Sequence, residues 1–393
     1  MFVCALLLLG GFLVLLVLLK IECDPALYFY KYFGKKPETL RGKVVWITGA
    51  GSGIGRQLAV SLAQVGARLV LHSLPGEDLD AVKGRCLRIA RGCLKDEDVL
   101  VLYGDVADIE MHEKWVDQVL KHFSKVDILI NNAGIGAFQS VLESPWSAIR
   151  RLFEVNLFGN VGLARALLPH FRQRKAGHIV VPSSVLAFLP IPNASAYGAS
   201  KRAIQGFYDT LRAEEVGHGV KVTVLFPGYV KTNIFANSAT AEGTGVDMGQ
   251  LRMFEMRVER FADWMLLAVA NEMISACIAK GWLLFVAAYH FPDLARRAEQ
   301  LVLLNSTITS VVIRPEIQNT EENPCRLDEG YSCKRNTERM GEELLKIFDG
   351  EEDKPAIDRM ATSSSKWMGK CNFPKRCNVI DYRISGDPAS ACQ

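Results

Sequence analysis

Tyr197 and Lys201 stand four positions apart in the stretch SAYGASK. A tyrosine hydroxyl, with an ordinary pKa of about 10, is a poor proton donor or acceptor at neutral pH. On a helix, positions i and i+4 share a face. An ammonium about 4 Å from a phenolate contributes on the order of 4 kcal/mol at an effective dielectric near 20. That is enough to draw the phenol toward neutrality, where it would act as a general acid or base. Proton transfer at a hydroxyl or carbonyl oxygen is the chemistry these two residues suggest.

A second set of residues could hold a phosphate-bearing group. Thr48-Gly49-Ala50-Gly51-Ser52-Gly53-Ile54-Gly55 directly follows the apolar run KVVWIT and opens an amphipathic one. Gly49 permits a tight turn, Gly53 and Gly55 permit close approach of backbone to a pyrophosphate, and a helix amino terminus presents N–H groups. Such a turn alone could be a plain loop; its strand–turn–helix setting points to a dinucleotide. The second strand candidate ends Leu71-His72-Ser73-Leu74-Pro75-Gly76, with no acid before Glu77 and no arginine. An acid there would bind the ribose hydroxyls of NAD and repel the phosphate of NADP. NADP(H) is therefore expected over NAD(H), with NAD(H) left open.

These groups need a frame to bring them together. From residue 43, short β-branched runs alternate with longer amphipathic ones: KVVWIT, ARLVLH, VLVLYGD, VDILIN, GHIVVPSS and KVTVLFPG. Helices are expected near 54–65, 78–91, 108–123, 147–173 and 196–216. The alternation implies an α/β fold of the doubly wound Rossmann type, a seven-stranded parallel sheet with helices on both faces. Ligands bind such sheets at the carboxyl ends of the strands. The sheet domain is expected over residues 43–304, with a loop over 232–256 shaping the substrate site and a helical pattern over 251–278. The apolar stretch GWLLFVAAYHF, 281–291, would either pack on the domain or line a lipophilic entrance. Residues 305–393 read as a polar, disordered tail.

Further short stretches fall at strand ends: Asp105-Val106, Asn131-Asn132-Ala133-Gly134, Val155-Asn156-Leu157 and Ser183-Ser184. With Tyr197-x-x-x-Lys201 and Pro227-Gly228-x-x-x-Thr232, their order and spacing resemble the short-chain dehydrogenase/reductase family over residues 43 to 232. The hydrophobic amino terminus and the segment RCLRIARGCLKDEDVLVLYGDVAD make the chain most similar to that family's membrane-anchored, steroid-metabolising branch. The resemblance implies a catalytic set of Asn156, Ser184, Tyr197 and Lys201. Ser184 would orient the substrate oxygen, Lys201 would also hold the nicotinamide ribose, and Asn156 would anchor a proton-relaying water. Cofactor contacts are implied for Gly49, Gly51, Ser52, Gly53, Ile54 and Gly55. They are implied also for Asp105, Val106, Asn132, Ala133, Gly134, Pro227, Gly228, Val230 and Thr232, besides Tyr197 and Lys201. Asp105 would meet the adenine, Asn132 the adenosine ribose and Thr232 the carboxamide, while Ser183 would be structural. The chain departs from the pattern at Pro182, where the strand must end or bulge, and at Leu186-Ala187-Phe188, where the family has small residues.

Composition narrows the partners. The 393 residues carry a formal net charge of +3 and no basic cluster interleaved with aromatic residues, which argues against nucleic acid. The ten cysteines form no C-x-x-C pair, so no metal site is expected and the thiols read as unpaired. The first 19 residues carry no charged side chain and Lys20 ends the run. As a helix they would span roughly 28 Å, close to a thin endoplasmic-reticulum bilayer core. Residues 1–20 are therefore expected to be a retained transmembrane anchor and 21–42 a linker. Lys20, Lys31, Lys35 and Lys36 downstream place the bulk of the chain in the cytosol. The function expected is hydride transfer between NADP(H) and an alcohol or carbonyl of a lipophilic molecule such as a steroid, retinoid or lipid derivative, in a possible homodimer. The alternative is a catalytically silent nucleotide-sensing scaffold at a membrane.

Overall fold

Apolar strands can bury alternate side chains on opposite faces only where both faces are covered. Strand β1 (Val44–Thr48) meets that condition. Val45 and Ile47 enter one hydrophobic core, and Val44 and Trp46 enter the other. The computed structural model describes Gly10, residues 21–232, residues 254–291 and Asp293. These belong to the unit Met1–Val312; the second unit, Ile313–Gln393, with the expected tail, lies outside the described residues. The expected anchor, Gly10 apart, lies outside them too. Among the described residues no helix is long and apolar enough to cross a membrane.

The remaining strands are β2 (Arg68–Ser73), β3 (Val99–Tyr103), β4 (Ile128–Ile130), β5 (Gly177–Pro182), β6 (Val220–Pro227) and β7 (Ser275–Ile278). They form one parallel sheet in the order β3-β2-β1-β4-β5-β6-β7. Connections leave β1 and β4 in opposite directions, so a crevice opens between their carboxyl ends. The first core lies beneath α1 (Pro25–Phe33), α2 (Gly53–Gln64), α3 (Leu79–Ile89) and α8 (Val258–Ala270). The second lies beneath α4 (His112–Phe123), α6 (Asn160–Arg174), α7 (Ser195–Glu214) and α9 (Trp282–His290).

Two expectations about the helices are corrected. The helix expected over 251–278 ends at Ala270, and Ser275–Ile278 supplies the seventh strand, pairing with β6 from Val224↔Ser275 to Pro227↔Ile278. The single helix expected over 147–173 has three parts: α5 (Trp146–Phe153), a π-helical segment over Glu154–Gly159, and α6. Gly159 allows this widened turn to pass close to the β3 loop, since a Cβ there would lie 2.4 Å from the Val106 carbonyl oxygen. In the apolar stretch 281–291, Trp282 and Phe285 are buried in the second core. Leu283 and Val286 pack against the same core, while Phe291 is exposed.

Pro182 ends β5 at no cost to the sheet. His178 donates its N–H to the Asp127 carbonyl and Val180 accepts from Asn131, so even-numbered residues of β5 face β4. β4 stops at Ile130. A proline can therefore occupy the next even position without breaking a ladder bond. The carbonyl of Asn131, beside it, accepts instead from Asn160 Nδ2 at 3.1 Å.

Candidate active site

The glycine turn after β1 is shaped by contacts that only small residues allow. Gly49 has φ +64° and Gly53 φ +50°, conformations in which a side chain would be strained. A Cβ on Gly55 would meet the Gly49 carbonyl oxygen at 2.1 Å, so the turn closes on itself there. Asn132 holds the turn from β4, donating through Nδ2 to the Thr48 oxygen at 3.0 Å and the Gly49 oxygen at 3.4 Å. Ala133 N–H donates to Thr48 Oγ1 at 2.9 Å. The side chain expected to meet an adenosine ribose is therefore engaged on the turn itself.

A cavity of about 480 Å³ opens above this turn at the crevice between β1 and β4. Gly49, Ser52, Gly53, Ile54, Asp105, Val106, Asn132, Ala133, Gly134 and Thr232 line it, as the sequence leads one to expect of a nucleotide site. Gly51 does not line it. Glu77 folds back over that glycine, its Oε2 2.4 Å from where a Gly51 Cβ would stand, and takes its own place in the wall. The premise that this end of the site lacks a carboxylate is thus corrected. Arg151 of α5 also lines the wall and pairs with Asp105, the residue expected at the adenine. Neither Glu77 nor Arg151 was singled out by motif; Glu77 lies four residues past β2, beyond the usual strand-end position.

Pro227, Gly228 and Val230 are not among the residues lining the cavity. Pro227 pairs with Ile278 and Gly228 N–H donates to the Ile278 oxygen at 2.9 Å, so both bind the β6 end to β7. Val230 is buried and bridges Met256. These three position Thr232 rather than the cavity wall. Residues 233–253, most of the expected substrate loop, lie outside the described residues.

The proton-transfer group stands at the far end of the cavity wall. A Cβ on Gly134 would lie 3.2 Å from Asn156 Oδ1 and 3.5 Å from Lys201 Nζ, so this lining residue touches the catalytic set through its lack of a side chain. Asn156 belongs to the π-helical segment and is fully buried. Its Oδ1 accepts from Ile135 N–H at 2.8 Å, and its Nδ2 donates to the Ile135 oxygen at 3.0 Å and to Ser200 Oγ at 3.1 Å. Widened turns of this kind recur at functional sites; here the turn clamps the backbone that follows Gly134.

Ser184 caps the short turn after β5, its Oγ accepting from Leu186 N–H at 3.1 Å, and hydrogen-bonds Tyr197. Ser183 donates to the Lys201 carbonyl at 2.8 Å, a structural bond between β5 and α7. Leu186 is accommodated because its carbonyl faces Gly198, where a Cβ would come within 2.9 Å. Phe138, which no motif marked, lies with its ring centroid 5.3 Å from that of Tyr197. Ala137, Leu152 and Ala194 complete an apolar cluster around the phenol.

The electrostatics differ from the simple pair reading. Lys201 Nζ stands 5.8 Å from the Tyr197 ring centroid and donates to the Pro182 oxygen at 3.1 Å. Burial pushes Tyr197 up to about 12, with the Ser184 hydrogen bond offsetting part of the rise. Burial likewise pulls Lys201 down to about 8. Desolvation disfavours the charged form of each and outweighs their attraction at this separation. The phenol is held as a proton donor.

Comparisons with known proteins agree with this geometry. A sequence profile described as short chain dehydrogenase matches residues 43–243. The human protein named dehydrogenase/reductase SDR family member 7 is 37% identical over 280 residues, covering 70% of this chain and 81% of that protein. A solved alcohol dehydrogenase from the archaeon Thermococcus sibiricus, complexed with 5-hydroxy-NADP, superposes with a TM-score of 0.51 at 25% identity, over 61% of this chain and 96% of that one. The 3-ketoacyl-(acyl-carrier-protein) reductase of Brucella melitensis, complexed with NADH, gives a TM-score of 0.54 at 25% identity, over 62% and 98%.

Proposed function

The chain belongs to the short-chain dehydrogenase/reductase family and is an oxidoreductase of it, and from that premise we propose that it interconverts a carbonyl and an alcohol on a lipophilic molecule, with Tyr197 moving the proton. The observation that carries this reading is the buried meeting of Asn156, Ser184, Tyr197 and Lys201 beside Gly134, at the end of a glycine-lined cavity. A silent scaffold has no need of a buried phenol aligned with a serine and a lysine.

The cavity fits a nicotinamide dinucleotide. Gly49 and Gly53 shape a turn that side chains would obstruct, and Ser52 and Ile54 open the α2 amino terminus toward phosphates. Asp105, Ala133, Gly134 and Thr232 would hold its remaining parts. The bound dinucleotide would supply or accept the hydride. Ser184 would orient the substrate oxygen by hydrogen bonding, and neutral Tyr197 would donate its proton to that oxygen during reduction. In oxidation the phenol must lose its proton, and Lys201, when charged, would stabilise the anion. Asn156 would keep Ile135 and Gly134 in place, since misplacement of reacting groups is costly.

The dinucleotide is carried here as NAD(P)(H). The expectation of NADP(H) rested on the lack of a carboxylate that Glu77 now supplies, and Arg151 is already paired with Asp105. The apolar cluster around Tyr197 supports a lipophilic steroid-, retinoid- or lipid-derived substrate. The uncharged stretch 1–19 supports anchorage in the endoplasmic-reticulum membrane, with the sheet domain on the cytosolic side. The catalytic reading is tested by Tyr197→Phe, which should abolish turnover on a panel of carbonyl substrates while dinucleotide fluorescence titrations stay unchanged. Undiminished turnover would overturn it. Protease added to intact microsomes should digest the sheet domain; full protection would reverse the orientation.

A further inference from the structure

Three of the large apolar side chains that the described residues leave in solvent stand within six positions of one another. Val141 is 71% exposed, Leu142 98% and Trp146 76%. Val141 and Leu142 belong to the connection between β4 and α5 and Trp146 opens α5, at the carboxyl edge of the sheet, where the cavity opens. The inner part of this connection is buried: Ala137 and Phe138 pack against Tyr197. Its tip is a closed turn. Ser140 O accepts from Glu143 N–H at 3.2 Å and Ser144 N–H at 3.0 Å, Ser144 Oγ donates to Ser140 O at 2.9 Å, and Ser140 Oγ donates to the Glu143 carboxylate at 2.7 Å. Backbone groups that must leave water are costly unless already bonded, and at this tip the Ser140 carbonyl and the N–H groups of Glu143 and Ser144 are bonded. It holds two aliphatic side chains outward on an ordered turn.

The start of the described chain bears on what meets that tip. Ile21 packs against the second core. Asp24 N–H donates to the Cys277 carbonyl near the end of β7, and Arg260, at the start of α8, binds the Glu22 carboxylate at 2.9 Å. The four residues between α8 and β7 place the end of α8 at the amino edge and its start at the carboxyl edge. The 19 residues without a charged side chain therefore join the sheet domain at the edge that carries Val141, Leu142 and Trp146.

We propose that this tip is a second membrane contact: Val141, Leu142 and Trp146 enter the apolar boundary of the bilayer to which the amino-terminal stretch fastens the chain, so that the mouth of the site faces lipid. A substrate dissolved in the bilayer then reaches Tyr197 past Phe138 without crossing water. The inference rests on the anchorage proposed above and adds the orientation of the sheet domain to it. Aromatic and aliphatic side chains presented on a rigid turn suit the headgroup–acyl boundary. The opposite edge provides an internal control, because Val216, 80% exposed, precedes β6 on the amino edge and would face away from lipid.

The test uses the full chain reconstituted in phosphatidylcholine–phosphatidylserine vesicles. The photoreactive residue p-benzoylphenylalanine is placed at position 142, at 146, or at 216. Flotation first establishes that each variant is carried by the vesicles. After illumination, lipid adducts are expected at 142 and 146 and at least tenfold fewer at 216. A floating protein with no lipid adduct at 142 or 146, with equal labelling at all three positions, or with crosslinks to a second copy of the chain would overturn the proposal and leave the anchor intact. A chain that fails to float would overturn the anchorage itself. Position 146 serves as the second probe should the variant at 142 fold poorly.

Discussion

Two buried polar groups meet on α7, where Tyr208 stands two to three turns beyond Tyr197 and Lys201. In one, Asn131, Asn160 and Tyr208 bond each other reciprocally. Asn131 Nδ2 donates to the Asn160 carbonyl at 2.9 Å and to Tyr208 Oη at 3.1 Å, Asn160 Nδ2 donates to the Asn131 carbonyl at 3.1 Å, and the Tyr208 hydroxyl donates to Asn160 Oδ1 at 2.6 Å. In the other, Lys201 can donate three hydrogen bonds but makes one among the described residues, to Pro182. Among the described residues the Tyr197 hydroxyl is hydrogen-bonded to Ser184. Burial raises the pKa of both tyrosines. The closed network has spent its polar capacity on fixing β4, α6 and α7 together. The open one keeps capacity for a substrate oxygen and a proton. Burial alone does not separate a structural tyrosine from a chemical one; closure of the network does.

The sharpest break of this contrast would come from the two phenol-to-phenyl variants compared side by side. Tyr197→Phe should cost roughly 10³-fold in turnover, the range of a lost general acid, with nucleotide affinity held. Tyr208→Phe should leave most of the turnover and instead lower stability by about 1–3 kcal/mol in urea unfolding, because Asn160 and Asn131 lose a buried partner. Equal losses of turnover in the two variants would erase the distinction.

The pH dependence of folding sharpens the same point. Lys201 falls to about 8 on folding from an ordinary 10.5. Between those values the unfolded chain holds a proton that the native protein has released, so stability rises with pH across the window. Tyr197 acts in the opposite sense only above its ordinary value of 10. Three buried thiols, Cys23, Cys86 and Cys277, are raised from 9 and oppose this rise above pH 9, so the lysine is read from a difference: in urea unfolding from pH 8 to 10 the stability of the native protein relative to Lys201→Met should increase with pH. Parallel curves would mean that the ammonium is better solvated than its burial implies. The smallest effect is expected at the cavity rim. Glu77→Gln should shift the NADPH-to-NADH affinity ratio about fivefold toward NADPH, the equivalent of roughly 1 kcal/mol for a partly exposed charge. A fluorescence titration showing no shift would remove Glu77 from cofactor choice.

Legibility from sequence followed locality. The glycine turn, the Tyr-x-x-x-Lys spacing and six of the strands are short patterns whose meaning lies within a dozen residues. Ser275–Ile278 escaped because four residues between two apolar helices are too few to display a period of two. The π-helical turn is not legible for a related reason: its residues are helical in pattern, and the bonds of Asn156 to Ile135 join it to a segment 21 residues away. Glu77 lies too far past β2 for a strand-end pattern to mark it, and only the return of the chain over Gly51 puts it in the cavity wall.

The order of residues along the chain was sufficient to determine the doubly wound sheet, the turn that could cradle phosphates and the helix face shared by Tyr197 and Lys201, because backbone geometry and side-chain periodicity are local properties. It could not determine the protonation of that pair, the closure of the Asn131–Asn160–Tyr208 network or the edge at which residue 21 enters. Those depend on desolvation and on distances between segments tens to hundreds of residues apart, and such quantities exist only once the sheet has brought the segments together.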